Sequence, residues 1–255
     1  MERKLRVDNL DVFCYTTREE MGKAAAKVAA EDIRNVYNAR GEANLVFASS
    51  PSQMDLLNAL RREEVDWTKV NAFHMDEYIG LSIEHCASFA NYLRENFFKY
   101  LPLRNIFYLN GLAEDIPAEC DRYSRLLLEH PTDITFAGIG ENGHMAFNDP
   151  YLADFFEPRL VKTNPCLDDE CRAQQVHDKW FEKLADVPES ALTLTFPALL
   201  RAPRLIVTVP GKTKAEIVHK VLDLPVSLDV PGSCARLHRN AVMFIDNDAA
   251  TLLKQ

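Results

Sequence analysis

The stretch Ala43-Asn-Leu-Val-Phe-Ala-Ser-Ser-Pro-Ser-Gln-Met-Asp-Leu-Leu-Asn-Ala-Leu-Arg-Arg62 combines three patterns in succession. Apolar residues 43–48 predict a buried strand, polar residues 49–53 predict a turn, and the apolar spacing over 54–62 predicts a helix. A buried strand followed by a turn and a helix is the repeating unit of proteins with parallel sheets. The stretch therefore predicts an α/β fold.

The same alternation continues on both sides of this stretch. Further strands are predicted over residues 70–74, 106–109, 133–139, 191–196, 204–209 and 241–245. Further helices are predicted over 17–40, 88–98, 117–130, 170–184 and 213–222, with one more at the C-terminus. The first of these helices begins with the capping-box pattern Thr17-Arg-Glu-Glu20 and stops at Gly41. We predict a doubly wound, mostly parallel sheet flanked by helices, in a modified Rossmann-like arrangement.

Length and composition indicate one domain over residues 1–255. The chain is 47% hydrophobic and 26% charged, close to the averages for soluble globular proteins, and 255 residues suffice for one large core. Prolines and acidic residues between 151 and 169 predict loops, and a helix follows them. We therefore predict a lid over about residues 151–185.

Composition also excludes several classes of function. No apolar run approaches the roughly 20 residues of a membrane span, so no membrane partner is expected. The net charge is -9 without any dense Lys/Arg block, so no nucleic-acid partner is expected. The N-terminus lacks a signal-peptide pattern, so reduced thiols and a cytoplasmic location are expected. Cys166 and Cys171 have no matching ligand pair or histidine, so no metal site is predicted.

Ligands of open parallel sheets bind at the carboxyl ends of the strands, where four turns carry notable residues. In the first turn, Ser49, Ser50 and Ser52 precede a helix and could bind a phosphate, or the serines could simply cap that helix. In the fourth turn, Lys214 lies at the start of a helix, where it could meet an anion or face solvent.

The second turn places two acidic residues directly after a strand. Asp76 and Glu77 are neighbours, and neighbouring side chains at a strand end diverge, so we expect only one to reach a ligand. The alternative is that both lie in a solvated turn.

The third turn, residues 138–150, is rich in glycine, which lets a backbone approach a ligand closely. It contains His144, which can exchange a proton near neutral pH, and Asp149, which could orient the histidine ring. The alternative is a glycine-rich turn around a satisfied histidine. The spacing Gly138-x-Gly140 lacks the G-x-G-x-x-G pattern of dinucleotide sites, so no nicotinamide cofactor is predicted.

Taken in order, these four turns resemble the glucosamine-6-phosphate deaminase/isomerase family, whose relatives include the 6-phosphogluconolactonases. The motifs His74-Met-Asp-Glu-Tyr-Ile-Gly-Leu81 and Gly138-Ile-Gly-Glu-Asn-Gly-His-Met-Ala-Phe-Asn148 carry the resemblance, which extends from about residue 12 to residue 245. Tyr78 and Phe147-Asn148 are similar to the deaminase branch rather than the lactonase branch.

The resemblance implies catalytic roles for individual residues. Asp76 matches the carboxylate that moves a proton between C2 and C1 of the opened sugar, and His144 matches the histidine that opens the ring. Asn142 and Asp149 stand where deaminases commonly have Asp and Glu, so both depart from the pattern. Asn142 cannot ionise, and Asp149 is one methylene shorter than Glu, which reduces and withdraws the charge around the histidine.

The resemblance also implies a phosphate site. Ser49, Ser50 and Ser52 align with the phosphate loop of the family, although its usual glycines are missing and Pro51 removes one backbone donor. Lys214 aligns with a phosphate-binding lysine. A family arginine in the middle region corresponds to Arg172 or to Lys179.

The implied reaction converts glucosamine 6-phosphate to fructose 6-phosphate and ammonia, with no cofactor, in a homo-oligomer. Two alternatives keep the scaffold: hydrolysis of 6-phosphogluconolactone, or isomerisation of another sugar such as galactosamine 6-phosphate. A third alternative is a sensor that binds sugar phosphates without turnover.

Overall fold

The computed structural model describes residues 3–253, which form eleven strands and seven α-helices. The strands are β1 (Arg3–Val7), β2 (Leu10–Tyr15), β3 (Ala43–Phe47), β4 (Val70–His74), β5 (Asp76–Tyr78), β6 (Asn105–Phe107), β7 (Ile134–Ala137), β8 (Val161–Asn164), β9 (Ala191–Leu194), β10 (Arg204–Thr208) and β11 (Ala241–Asp246). The helices are α1 (Arg18–Arg40), α2 (Met54–Leu60), α3 (Phe89–Asn96), α4 (Ile116–Glu129), α5 (Asp169–His177), α6 (Phe196–Leu200) and α7 (Ala215–Asp223). None of these helices is long and apolar enough to cross a membrane.

Eight of the strands form one sheet in the order β1-β2-β11-β10-β7-β3-β4-β6. All its pairs are parallel except β1 with β2, which is antiparallel. The central parallel strands β3, β4, β7, β10 and β11 are almost entirely buried, because helices cover both faces: α1 to α3 on one and α4, α6 and α7 on the other. The predicted doubly wound, mostly parallel α/β sheet is confirmed.

The chain changes direction across this sheet between β3 and β7. From β3 it continues to β4 and β6 on one side, and from β7 it continues to β10 and β11 on the other. Loops leaving the two strands at such a point diverge and open a crevice at their carboxyl ends. The neighbouring strands β10, β7, β3 and β4 are the ones whose following turns carry the candidate site residues.

A second, smaller sheet lies beyond the end of β4. It has the order β5-β9-β8, and both of its pairs are antiparallel. The strand predicted at 191–196 therefore exists as β9 but does not join the parallel sheet. β8 lies in a region predicted as loop, because its sequence Val-Lys-Thr-Asn has no strong apolar pattern and its strand form depends on pairing with β9.

The predicted helix boundaries agree best with those of the structure where local capping is strong. Thr17 Oγ1 accepts a hydrogen bond from Glu20 N at 3.2 Å, and Gly41 ends α1 with φ of 89°. The helix predicted over 170–184 ends earlier, because Lys179 adopts a left-handed φ of 64°. The predicted C-terminal helix is wrong: residues 247–253 form turns, and a segment this short nucleates a helix poorly.

Candidate active site

The four turns meet around one cavity of about 60 Å³ at the carboxyl ends of the central strands. The cavity is lined by residues from every one of these turns and from the end of α5: Ala48, Ser49, Ser50, Ser52, Met75, Asp76, Phe89, Gly138, Ile139, Gly140, His144, Ala146, Phe147, Gln174, Gln175, Asp178, Trp180 and Lys214. The candidate catalytic pair and the candidate phosphate residues therefore share a single pocket.

Asp76 and Glu77 point in different directions, as expected for neighbours in a strand. Glu77 is 2% exposed and caps α3, accepting hydrogen bonds from Ser88 Oγ at 2.6 Å and from Ala90 N at 3.0 Å. Asp76 lines the cavity, and its Oδ1 atom is buried without a hydrogen-bond partner among the described residues. Because both are buried, the solvated turn considered as an alternative is not what forms.

The environment of Asp76 favours its protonated form. Burial, and secondly the charge of Glu77, raise the pKa of Asp76 well above its ordinary value. A carboxylate that lacks hydrogen-bond donors and has a raised pKa is a stronger proton acceptor than an exposed one. Asp76 therefore has the properties of a general base.

His144 is oriented by an amide that is itself oriented by a carboxylate. Asn142 Nδ2 donates to Asp149 Oδ1 at 3.1 Å, so Asn142 Oδ1 faces the histidine and lies 2.7 Å from His144 Nδ1. An oxygen can only accept, so this contact places a proton on Nδ1 and leaves the neutral ring with its lone pair on Nε2. Burial lowers the pKa of His144, although the charge of Asp149 opposes this effect.

The glycine-rich loop provides room for this ring. A Cβ atom at position 140 would lie 2.0 Å from His144 Cε1, so no larger residue fits beside the histidine. Gly140 N also donates to His144 O at 2.9 Å, which closes the turn. Gly140 is therefore needed to hold the ring close to the loop.

Asp149 lies behind His144 and does not line the cavity. It is fully buried, and its Oδ2 atom accepts from Asn164 Nδ2 at 2.9 Å and from Asp168 N at 3.1 Å. With Asn142 on Oδ1, the carboxylate is held by neutral donors. The charge of Asp149 raises the pKa of His144 and so favours positive charge on the histidine.

The serine turn and Lys214 form the other end of the cavity. Ser50 Oγ and Ser52 Oγ are 2.6 Å apart, and Ser49 Oγ is buried without a partner among the described residues. The side chain of Ser50 makes no capping hydrogen bond, which disfavours the capping alternative. Lys214 is only 7% exposed, so it is not a surface lysine, and burial lowers its pKa. Hydroxyls and a buried ammonium are the donors that a phosphate requires.

Neither of the two basic residues considered for the middle region lines the cavity. Arg172 Nη2 donates to Leu184 O at 3.0 Å and to Val187 O at 3.1 Å, so its guanidinium ties the segment after α5 to the helix. Lys179 is exposed. A phosphate-binding role for either residue stays a prediction.

The residues that the sequence did not indicate come from α5 and the turn after it. Gln174, Gln175, Asp178 and Trp180 line the cavity, and Asn164 supports Asp149 from β8. The first three follow each other at helical spacing, but their contact with the cavity depends on how α5 packs. Sequence spacing alone could have indicated that these side chains share one side of the helix, but not that this side lines the cavity.

One group of metal-type donors overlaps the site. Donor atoms of His144, Asp149 and Cys171 lie within 4.8 Å of one another. His144 and Asp149 are already engaged with Asn142, and burial raises the pKa of the Cys171 thiol well above its ordinary value. His144 and Asp149 are therefore already members of a hydrogen-bonded network.

Comparisons with known proteins show the family to which this chain is related. The sequence profile of the glucosamine-6-phosphate isomerases/6-phosphogluconolactonase family matches residues 16–148. The chain belongs to this family. It is 30% identical over 246 residues to the glucosamine-6-phosphate deaminase of Lactobacillus delbrueckii subsp. bulgaricus, covering 96% of this chain and 100% of that protein. It is 31% identical to the same enzyme of Clostridium perfringens, covering 92% and 96%.

Solved structures of family members have the same fold. A monomeric glucosamine-6-phosphate deaminase superposes with a TM-score of 0.85 at 31% identity, covering 94% of this chain and 99% of that one. A 6-phosphogluconolactonase from Thermotoga maritima gives a TM-score of 0.74 at 16% identity, covering 92% and 99%. The second comparison concerns the fold alone.

Proposed function

We propose that this protein is a glucosamine-6-phosphate deaminase that releases fructose 6-phosphate and ammonia. The observation that carries the proposal is the pairing, in one cavity, of a buried carboxylate lacking donors with a histidine whose tautomer is fixed. Similarity to deaminases over almost the whole chain supports the same reaction.

The phosphate binds first to the serine turn and Lys214, which holds the reacting carbons near the catalytic pair. His144 Nε2 accepts the proton of the sugar O1 hydroxyl and passes it to the ring oxygen, which opens the ring to the aldehyde. Asn142 keeps Nδ1 protonated during this step, and Asp149 stabilises the charge that develops on the ring.

Asp76 then removes the proton from C2 of the open chain while O1 gains a proton, giving an enol with nitrogen on C2. Asp76 returns its proton to C1, O1 keeps its hydrogen, and the nitrogen loses a proton as it becomes doubly bonded to C2, which yields a C2 imine. Water adds to the imine, ammonia leaves, and the ketose phosphate remains. The steps are proton transfers, ring opening, water addition and ammonia release, so the residues of the cavity can serve them without a cofactor.

The lid over residues 151–185 is part of the proposal. Four cavity-lining residues come from this segment, so it is placed to close over a bound sugar phosphate.

The cytoplasmic location and the homo-oligomer stay predictions within this proposal. All six cysteines are free, as in proteins of reducing compartments. One solved relative is described as monomeric, so the subunit number needs a direct measurement, for which light scattering coupled to gel filtration is suited.

The test is ammonia release from glucosamine 6-phosphate by the wild-type chain and by the Asp76→Asn variant. Turnover that is lost in the variant supports both the reaction and the base. Galactosamine 6-phosphate and 6-phosphogluconolactone are assayed in parallel, and preferred turnover of either would replace the proposed substrate. Tight binding of sugar phosphates without turnover of any of them would indicate a sensor.

A further inference from the structure

The turn after α5 brings the acidic side chain of Asp178 to the cavity. Lys179 has a left-handed φ of 64°, which is strained for a residue other than glycine. This conformation leaves Lys179 exposed while its neighbours Asp178 and Trp180 both line the cavity. The conformation closes the end of α5, where Lys179 N donates to Val176 O at 3.0 Å and Trp180 N donates to Gln175 O at 3.0 Å.

Gln174 fixes the position of Asp178. Its Nε2 atom donates to Asp178 Oδ2 at 3.2 Å, and its Oε1 atom accepts from Glu141 N at 3.0 Å. The carboxamide thus links Asp178 to the glycine-rich loop that carries His144. No other side-chain hydrogen bond to Asp178 forms within residues 3–253, so its carboxylate has capacity for a further donor.

The charges lining the cavity come from three residues besides His144: Asp76, Asp178 and Lys214. Lys214 and the serine hydroxyls suit a phosphate, and Asp76 serves as the base. Asp178 is left as a carboxylate with no role in these steps. Its charge acts on both Lys214 and His144, which line the same cavity.

A carboxylate in a phosphate-binding pocket is unfavourable for a substrate whose only charge is the phosphate, because like charges repel. It is favourable for a substrate that also carries a cation. An amino-sugar phosphate has such a cation, the ammonium group on C2, whereas a 2-hydroxy sugar or an N-acylated sugar has none.

We propose that Asp178 binds the C2 ammonium group and selects phosphorylated sugars with a free amine over those that are neutral at C2. This inference rests on the proposed function, because it assigns a further residue to that reaction. Gln174 is a positioning residue for Asp178, and Asp178 is the group that contacts the substrate.

The Asp178→Asn variant tests this selectivity with two opposite effects. The KM for glucosamine 6-phosphate should rise roughly 10- to 100-fold, because a charged hydrogen bond is lost, while kcat changes much less. Glucose 6-phosphate, assayed as a competitive inhibitor, should bind more tightly because a repulsion is removed. The control is Glu170→Gln, which removes an exposed charge from the same helix and should change neither constant.

An unchanged KM in an active Asp178→Asn variant would overturn the inference and leave the proposed function standing. Equal weakening of both ligands would overturn it too, because that indicates general loss of the pocket. A wild-type chain that releases no ammonia would instead refute the proposed function.

A second measurement does not depend on folding of the variant. In the wild type, 2-amino-2-deoxyglucitol 6-phosphate should inhibit at least about tenfold more tightly than glucitol 6-phosphate, which has a hydroxyl at C2. Equal inhibition constants would contradict a role for Asp178 in binding the ammonium group.

Discussion

Asp76 combines a catalytic advantage with a cost to stability. Its pKa is raised by burial, so the folded protein holds this proton more tightly than the unfolded chain. Stability associated with this group is therefore greatest at low pH and is lost as pH rises from the unfolded pKa towards the folded one. At neutral pH the group destabilises the fold in the form that catalysis requires.

The Asp76→Asn variant should therefore lose activity and gain stability. We expect kcat to fall by about 10²-fold or more because proton transfer is lost, while the melting temperature at pH 7 rises. In the wild type, kcat/KM should decline on the acid side at a pH above the ordinary range of a carboxyl group. Activity assays and thermal melts over a pH series measure both effects.

Glu77→Gln is the matched control for this prediction. It removes the charge from the adjacent carboxylate but weakens the cap of α3, so its melting temperature should fall. A stabilised Glu77 variant, or a destabilised but active Asp76 variant, would contradict the assignment of roles.

Asn142 fixes the tautomer of His144 through two hydrogen bonds. In Asn142→Ala the ring loses its Nδ1 partner, so we expect both neutral tautomers to be populated and kcat to fall by about tenfold or more. Imidazole ¹⁵N chemical shifts measure the tautomer directly, and exposed His177 provides an internal reference. A variant that loses activity with an unchanged His144 spectrum would show that Asn142 acts in another way.

The sequence predicted which side chains line the cavity best where the residue type limits the chemistry. Asp76, His144 and Lys214 follow buried strands and are each suited to one task, so position and type together indicated them. Asp178 and Asn164 were missed, because an acidic residue just after a short helix and an amide on a polar strand are usually solvent-exposed. Only packing brings them to the site.

Among the elements, the glycine-rich loop and the end of α1 use glycine for different reasons. Gly140→Ala would place a Cβ 2.0 Å from the His144 ring and should reduce kcat strongly with a smaller effect on stability. Gly41→Ala has free space but a φ of 89°, so it should cost about 1 kcal/mol of stability and leave kcat unchanged. Denaturant titrations measure the stability of the two variants, and kinetic assays measure their kcat. Equal losses of stability and kcat in both variants would contradict these two roles of glycine.

Strands and helices were predicted correctly where the segment's own sequence determines its structure. They were missed where a strand forms only by pairing with another strand. The central parallel strands are continuous apolar runs, and α1 carries its own caps, so both were predictable. The hairpin of β1 and β2 was not predicted, since alternating polar residues reduce its apolar signal. β5 and β8 are three and four residues long and exist through their pairing with β9.

At the scale of the whole molecule, strand order rather than chain order creates the site. Turns far apart in sequence converge because β10, β7, β3 and β4 are neighbours with the same direction. Alternation of strands and helices predicted the class of fold but not this order, because strand order depends on which side of the sheet each helix crosses.

The predicted lid can be tested on the whole chain by hydrogen exchange. A lid has to open to admit the sugar phosphate, so the amides of residues 151–185, four of which line the cavity, should exchange faster than those of the central sheet in the free protein. Saturating 2-amino-2-deoxyglucitol 6-phosphate should slow exchange in this segment and in the serine turn, and leave the edge strands β1 and β6 unchanged. Fast exchange unaffected by the ligand, despite measured binding, would contradict a lid, since closure requires the segment to become ordered over the bound sugar.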